Sequence, residues 1–304
     1  MNFKVQNNIA LAPLSTFQIG GVVREYIQVE SPEGLVEIVE WANEENKPFR
    51  VFAGGSNVVF PDEGVQDLVV QVKGGKYAGN MRELVVDAGV DLVQVVSYSI
   101  GQGWKGLESL SGIPGTVGGA IVGNAGAYGH SISEVVEKVE VLDGDKRCFI
   151  NKEECSFSYR ESVFKQKSYL ILRVVLKFEL GNREELEKTS KEIIKKREVK
   201  YHPGIKCPGS FFKNIIASDL NEEQLRNIEK NKIVYGKIPA GYLLEEVGVK
   251  GMRVGGIEIA DYHGNLFINK GNGTASQVKK LAAILKDKVR EKFGIELEEE
   301  IRYF

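Results

Sequence analysis

The sequence predicts an α+β protein with mixed sheets, built in roughly three pieces. Three observations carry this. Short apolar runs with strand character alternate irregularly with a few amphipathic stretches of helical period. A Gly-Gly turn at 54–55 lies between two strand-like runs, FRVFA (49–53) and VVF (58–60), and not between a strand and a helix. That disfavours the usual dinucleotide-binding fold, whose glycines open a helix. Finally, YHPGIKCPG (201–209) carries two prolines and two glycines, as a domain junction would.

Taken in order, the first helix is SPEGLVEIVEWAN (31–43). Ser31 can cap it, Pro32 suits its first turn, and Leu35, Ile38, Val39 and Ala42 share a face. FRVFA reads as a buried strand. ELVVDAGV, from 83, is a strand, and Asp91 can cap a helix through LVQVVSYSI that ends at Gly101 or Gly103. The run 109–129 then holds seven glycines in 21 residues, too apolar for a linker. Glycine at that density points to close backbone approach. VEKVEVLDGDKRCFI (136–150) reads as a hairpin about Asp143-Gly144. YLILRVVLKFEL (169–180) is a strand, and 183–198 a charged helix with Leu186, Ile193 and Ile194 on its apolar side. RVGGIEIA (253–260) reads as a strand. TASQVKKLAAILKDKVREKF is a helix whose Val278, Leu281, Ala282, Leu285, Val289 and Phe293 face one way, ended by Gly294. IELEEEIRYF reads as a final strand, with Ile295, Leu297, Ile301 and Tyr303 on one face and Glu298, Glu300 and Arg302 on the other.

Composition narrows the function. The chain has 304 residues, 42% hydrophobic and 27% charged, with a formal net charge of −2. No overall basic field suggests nucleic acid or an anionic membrane as partner. No apolar run approaches the ~20 residues that span a bilayer, and the N-terminus does not read as a signal peptide. The three cysteines, Cys148, Cys155 and Cys207, fit neither a disulfide framework nor a zinc site, so a reducing cytoplasm is expected. His130, His202 and His263 have no metal-site spacing, and no metal is expected.

Five stretches could carry chemistry. Gly54-Gly55-Ser56-Asn57 can form a concave nest of backbone N–H groups for an anion, or simply turn the chain. Ser111–Gly119, with Pro114 and side-chain-free Gly115, Gly118 and Gly119, could lie against a flat ring or a phosphate, or mark two chains crossing. Arg160, after Tyr159, offers a planar fork for a carboxylate or phosphate, or a surface pair with Glu161. Ser210, beside Phe211 and Phe212, is a partly dehydrated hydroxyl that positioned neighbours can turn into a proton donor, or a turn serine. Cys207 is a lesser rival nucleophile. Glu298-Glu299-Glu300 is the last, catalytic or a solvated face.

In this order the chain holds STFQIGG (15–21), AGGSN (53–57), GIPGTVGGA (112–120) with NAGAYG (124–129), YRES (159–162), GSFFKN (209–214) and EIR (300–302). The set resembles the UDP-N-acetylenolpyruvoylglucosamine reductase (MurB) family nearly end to end. The resemblance implies a two-subdomain FAD-binding fold of the vanillyl-alcohol-oxidase/PCMH type plus a C-terminal α+β substrate-binding domain. Its pieces would be 1–74 with 294–304 returning to it, 75–198, and 199–293. It implies non-covalent FAD held by Gly54, Gly55, Ser56, Asn57, Pro114, Gly115, Thr116, Gly118, Gly119, Asn124 and Gly126. NADPH would be co-substrate, and the enolpyruvyl ether of a UDP-sugar would be reduced in peptidoglycan synthesis by a cytoplasmic monomer. Arg160 and Glu300 would sit at the substrate carboxylate and Ser210 would give the proton. Glu300 suits that place only when protonated, since a bare carboxylate would repel the intermediate. Tyr159, Asn214 and His263 would touch substrate. The competing readings are an oxidase of the same flavin fold, with His130 as a flavin tether, and a non-catalytic sugar-nucleotide-binding protein.

Overall fold

The computed structural model describes residues 3–304. The chain divides into two compact units. The first comprises residues up to Ile9, Val23–Gly55 and Val65–Val199; the second comprises Ala10–Val22, Ser56–Gly64 and Lys200–Phe304.

The first unit is built on two sheets. One has the order β1 (Gln6–Ala10), β2 (Val22–Val29), then β5 (Leu68–Val72) and β3 (Phe49–Phe52), with β5 parallel to both of its neighbours; β4 (Val58–Val59) lies in the second unit. Parallel strands need crossovers, and α1 (Pro32–Glu44) supplies the one between β2 and β3. Ser31 Oγ accepts from Gly34 N at 3.1 Å and Pro32 sits in the first turn, so the expected cap is present. Every residue of the central β5 is buried, including Gln71, whose side chain accepts from Tyr26 Oη at 2.5 Å and donates to the Ala53 carbonyl at 3.0 Å. β3 is less buried than its apolar run predicts. It is an edge strand, and only Phe52 is fully enclosed.

The other sheet orders β12 (Lys146–Asn151), β11 (Val136–Asp143), β13 (Leu170–Lys177), β7 (Glu83–Asp87) and β6 (Tyr77–Asn80), all antiparallel. α2 (Leu92–Gly101) and α3 (Val117–Val122) pack on each other, and α3 lies against β7 and β13. Short strands β8 (Trp104–Lys105), β9 (Gly126–Ala127), β10 (His130–Ser131) and β14 (Glu179–Leu180) join these parts, and α4 (Arg183–Lys200) closes the unit. One core runs from Ile27, Leu35 and Val70 through Val86, Val95 and Ile121 to Val139 and Val174.

Four expectations for this unit are corrected. Asp91 stands at the α2 N-terminus but makes no side-chain cap bond. The first helical N–H, of Leu92, is taken instead by the Gly115 carbonyl at 2.9 Å. The hairpin pairs Asp143 with Lys146, so its turn is Gly144-Asp145, one residue later than expected. The run 169–180 is two strands, because Phe178 turns inward and donates its N–H to Arg82 O, after which Glu179–Leu180 pair with β8. Ile194 is 37% exposed, and α4 is anchored by Leu186 and Ile193.

In the second unit α7 (Ala275–Phe293) is the largest element. All six of its expected apolar residues are buried, Thr274 and Gln277 form a reciprocal capping box, and Gly294 ends it in the left-handed conformation. Around it stand β15 (Ile215–Ile216), α5 (Glu222–Arg226), β16 (Lys237–Ile238), α6 (Ala240–Glu246), β17 (Arg253–Val254), β18 (Ile257–Ile259), β19 (Phe267–Asn269) and β20 (Arg302–Tyr303). Phe211, Phe212 and Phe267 meet Leu281, Leu285 and Phe17 in a second core. Two expectations change here. Residues 253–260 form a hairpin, β17–β18, turning at Gly255-Gly256. The final segment is ladder-paired only at Arg302–Tyr303, parallel to β4, with an isolated bridge between Glu299 and Phe212. Its inward residues are Ile295, Leu297 and Ile301, whereas Tyr303 is 38% exposed.

Candidate active site

In the first unit the glycine-rich segments are pressed together. A Cβ on Gly54 would stand 2.8 Å from Gly115 Cα, backbone against backbone, and Gly115 itself has φ +109°. No side chain fits between two such chains. Thr116 then opens α3, its Oγ1 accepting from Gly119 N at 3.2 Å. Val117 N donates to Val90 O at 2.9 Å and Gly118 N to Ala88 O at 2.8 Å. These three N–H groups are spent inside the protein. What the loop offers outward is a bare surface at the exposed Pro114 and Gly119, where a Cβ on Gly119 would meet nothing nearer than Thr116 Oγ1 at 3.5 Å. Such a surface fits a flat ring better than a phosphate. Gly54 and Gly55 differ: among the described residues, neither backbone N–H donates to another backbone group. The unit thus offers a side-chain-free surface and unspent donors, which suits a flavin.

A second junction in this unit joins the 124–126 and 158–160 turns. Asn124, 6% exposed, donates from Nδ2 to Ser158 O at 2.8 Å and accepts from Ser133 N at 3.3 Å. Arg160 Nη2 donates to Gly126 O at 2.8 Å, and its guanidinium lies 5.5 Å from the Tyr159 ring centroid. The Arg160 backbone has φ +58°, which costs a side-chain-bearing residue about 1–2 kcal/mol and often marks a functional site. His130 is paired with Glu134 at 2.9 Å, its side chain 60% exposed.

In the second unit, Ser210 Oγ receives a hydrogen bond from Lys200 Nζ at 3.0 Å and shares another with Tyr201 Oη at 3.0 Å. Lys200 donates to the hydroxyl oxygen, and when the Tyr201 phenol donates to it as well the Ser210 proton is left to be given outward; positive charge beside Oγ favours the charge left behind. The next residues run antiparallel to the end of the chain. Glu300 N donates to Phe211 O at 2.8 Å and Lys213 N to Glu298 O at 2.9 Å. Ser210 therefore immediately precedes the residue whose carbonyl is bonded by Glu300 N. Lys213, almost wholly buried, pairs with Glu298 at 2.5 Å, and Lys286 pairs with Glu299 at 2.5 Å. Ser56 and Asn57 join this group: Thr16 Oγ1 donates to Cys207 O at 2.7 Å with Ser56 O 3.3 Å from the same oxygen, Asn57 Nδ2 donates to Pro208 O at 3.3 Å, and Arg302 N donates to Asn57 O at 3.0 Å.

Asn214 Oδ1 accepts from Ala240 N, the first residue of α6, at 3.2 Å. His263 rests on the same helix, where a Cβ on Gly241 would meet its Cε1 at 2.8 Å. Its Nδ1 accepts from Asn265 N at 3.0 Å, which assigns the ring proton to Nε2. Burial, and then the positive charge of Lys200, push its pKa down to about 4. It is a neutral donor at ordinary pH.

Sequence reading missed Lys200 and Tyr201. They lie ten and nine residues before Ser210, across the loop with two prolines and two glycines, which folds back on itself. It also missed Asn265, 2% exposed, whose amide bonds both the N–H and the carbonyl of Phe212. No motif signals either. Among the described residues there is no cluster of three or more potential metal ligands, and no helix is long and apolar enough to cross a membrane.

The chain is similar to known proteins over nearly its whole length. Residues 23–149 match the FAD binding domain family, and residues 200–304 match the C-terminal domain of UDP-N-acetylenolpyruvoylglucosamine reductase. The UDP-N-acetylenolpyruvoylglucosamine reductase of Solibacter usitatus (strain Ellin6076) is 40% identical over 303 residues, covering 99% of this chain and 97% of its own. That of Chloroherpeton thalassium (strain ATCC 35110 / GB-78) is 35% identical over 302 residues, covering 98% and 92%. The crystal structure of the MurB enzyme from Thermus caldophilus superposes with a TM-score of 0.78 at 30% identity, over 99% of both chains. The chain therefore belongs to the UDP-N-acetylenolpyruvoylglucosamine reductase (MurB) family of flavin oxidoreductases.

Proposed function

We propose that this enzyme uses NADPH to reduce the enolpyruvyl ether of UDP-N-acetylglucosamine, forming UDP-N-acetylmuramate for peptidoglycan. The observation that carries the reading is the Ser210 hydroxyl, held by an ammonium and a phenol at 3.0 Å each, one residue from the backbone partner of Glu300.

When bound, FAD would supply hydride chemistry, carrying hydride from NADPH to the CH₂ carbon of the enolpyruvyl group. Gly54, Gly55, Ser56 and Asn57 would hold its pyrophosphate. The Pro114, Gly115, Thr116, Gly118 and Gly119 surface would lie against its ring, with Asn124 and Gly126 fixing the adjoining turn. Ser210 gives its proton to the substrate carbon next to the carboxylate, and Lys200 and Tyr201 compensate the charge left on Oγ. Arg160 stabilises the carboxylate as charge spreads into it. Glu300, in its protonated form, donates to the same group. Tyr159, Asn214 and neutral His263 would contact the sugar nucleotide. We assign 1–74 with 294–304, 75–198 and 199–293 as the functional pieces of a cytoplasmic monomer.

The test is spectroscopic. The purified protein should show flavin absorbance, lose it on anaerobic NADPH addition, and regain it when the enolpyruvyl sugar nucleotide follows. A protein that never takes up flavin, or whose bleached flavin ignores that substrate, would refute the reading. Ser210→Ala should leave bleaching by NADPH intact and slow recovery by about 10²–10⁴-fold, the range for loss of a positioned proton donor.

A further inference from the structure

Ser210 occupies a short segment that belongs to no sheet, yet its backbone is fixed on two sides. On one side it runs against residues 298–300, with Glu300 N on Phe211 O at 2.8 Å and Lys213 N on Glu298 O at 2.9 Å. On the other side stands a single side chain. Asn265 Oδ1 accepts from Phe212 N at 2.8 Å, and its Nδ2 donates to Phe212 O at 2.8 Å. Asn265 O accepts from Phe211 N at 3.2 Å. One asparagine thus supplies the acceptor and the donor that a neighbouring strand would supply. It is itself 2% exposed, and its own N–H is fixed by His263 Nδ1 at 3.0 Å. The residue is engaged only in holding its neighbours, so it is not a direct substrate contact.

We propose that Asn265 is the positioning residue of Ser210. This rests on Ser210 being the proton donor. Its amide locks the peptide units of Phe211 and Phe212, and so sets where the preceding Ser210 Oγ stands relative to Lys200, Tyr201 and the substrate carbon. Without it Phe212 has one flank unbonded, and the segment can shift by the fraction of an ångström that proton transfer does not tolerate.

The experiment is a double-mutant cycle on the flavin-loaded enzyme, with Asn265→Ala and Ser210→Ala singly and together. Bleaching by NADPH and recolouring by the enolpyruvyl sugar nucleotide are timed separately by stopped flow. Hydrogen–deuterium exchange is followed in the peptide spanning 209–214. Asn265→Ala should slow recolouring by about 10–100-fold, as a misplacement near 1 Å can. It should leave bleaching and substrate Kd within about threefold and speed amide exchange at Phe212. In the Ser210→Ala background the same change should cost less than about threefold, because there is no longer a hydroxyl to position. Equal slowing in both backgrounds would overturn the proposal while leaving Ser210 as the donor. So would unimpaired recolouring in Asn265→Ala beside a slow Ser210→Ala. A Ser210→Ala enzyme that recolours at the normal rate would remove the donor itself, and the proposal with it. If the alanine variant fails to fold, Asn265→Asp, of equal size with the donor replaced by oxygen, is judged by the same criteria. Failure of both to fold would show a residue needed for the fold and not for placement, and would overturn it too.

Discussion

Replacing Asp62 with alanine should destabilise the second unit by about 1–2 kcal/mol. α7 begins with N–H groups that its own turns cannot satisfy. Thr274 takes that of Gln277 at 3.2 Å. The N–H groups of Ala275 and Ser276 are taken by Asp62, at 2.6 and 3.0 Å, and the Ser276 hydroxyl adds a third bond at 2.8 Å. Loss of a cap costs roughly 0.5–2 kcal/mol and loss of a carboxylate at a helix N-terminus roughly 0.3–1 kcal/mol. Asp62 is exposed, so water partly replaces it and the lower half of each range applies. Calorimetry should therefore show the melting temperature falling by about 3–8 °C. Acidity supplies the control. Partial burial pushes the Asp62 carboxyl up, but the backbone N–H bonds from Ser276 and Ala275 and the Ser276 hydroxyl outweigh it, so it titrates below its usual range. A carboxylate depressed on folding stabilises fully above its unfolded value of about 3.9 and loses that contribution as pH falls through the folded value. The gap between wild type and Asp62→Ala should stay constant from pH 8 to about 5 and narrow below about 4. Asp62→Asn, which keeps an acceptor without the charge, should fall between the two. A gap under about 0.3 kcal/mol at pH 7, or one that acid does not narrow, would refute the accounting.

Three further outcomes can be checked. Gly54→Ala drives a methyl to 2.8 Å from the Gly115 backbone, where nothing can retract; flavin titration should show Kd raised at least about tenfold with a lowered melting temperature. Arg160→Lys keeps a charge but loses the planar fork and the bond to Gly126 O, and stopped-flow recolouring should slow by about 100-fold with bleaching unchanged. His263 has its pKa lowered to about 4, chiefly by burial, so the unfolded chain binds its proton first; stability should decline as pH drops from about 6.5 towards 4, by at most about 1.4 kcal/mol per pH unit, and His263→Asn should flatten that decline in denaturant titrations.

Local signals were legible where local physics decides. The α7 helix announces itself through a 3.6-residue apolar period, a capping box and a terminal glycine, and all three are present. The Gly-Gly turn between strands distinguishes this fold from the dinucleotide-binding one by sequence alone. Long-range partners were not legible. Asp91 looked like the cap of α2, but a carbonyl from the glycine loop reaches that position. Asp62 serves a helix 213 residues away, which no window can see. The final segment alternates like a strand, yet residues 298–300 meet the Ser210 segment through single bonds that make no regular ladder, and only Arg302–Tyr303 pair with β4. Ser210 was singled out by its neighbours in sequence, while Lys200, Tyr201 and Asn265, which orient it, are found only when the chain is folded.

The second unit is stitched from three stretches, and β4 meets its partner only at Arg302–Tyr303. During synthesis the first unit has nearly all its residues once Val199 has emerged. Phe17, Ile19 and Val59, by contrast, must wait for Phe211, Leu281 and Ile301 before they are covered. At ribosomal speeds of ~5–20 residues per second, the remaining hundred or so take roughly 5–20 s. Greasy side chains near the start of the nascent polypeptide stay uncovered for that interval. Truncation before Arg302 would take the parallel partner from β4, and the shortened protein should aggregate on expression more than the full chain does.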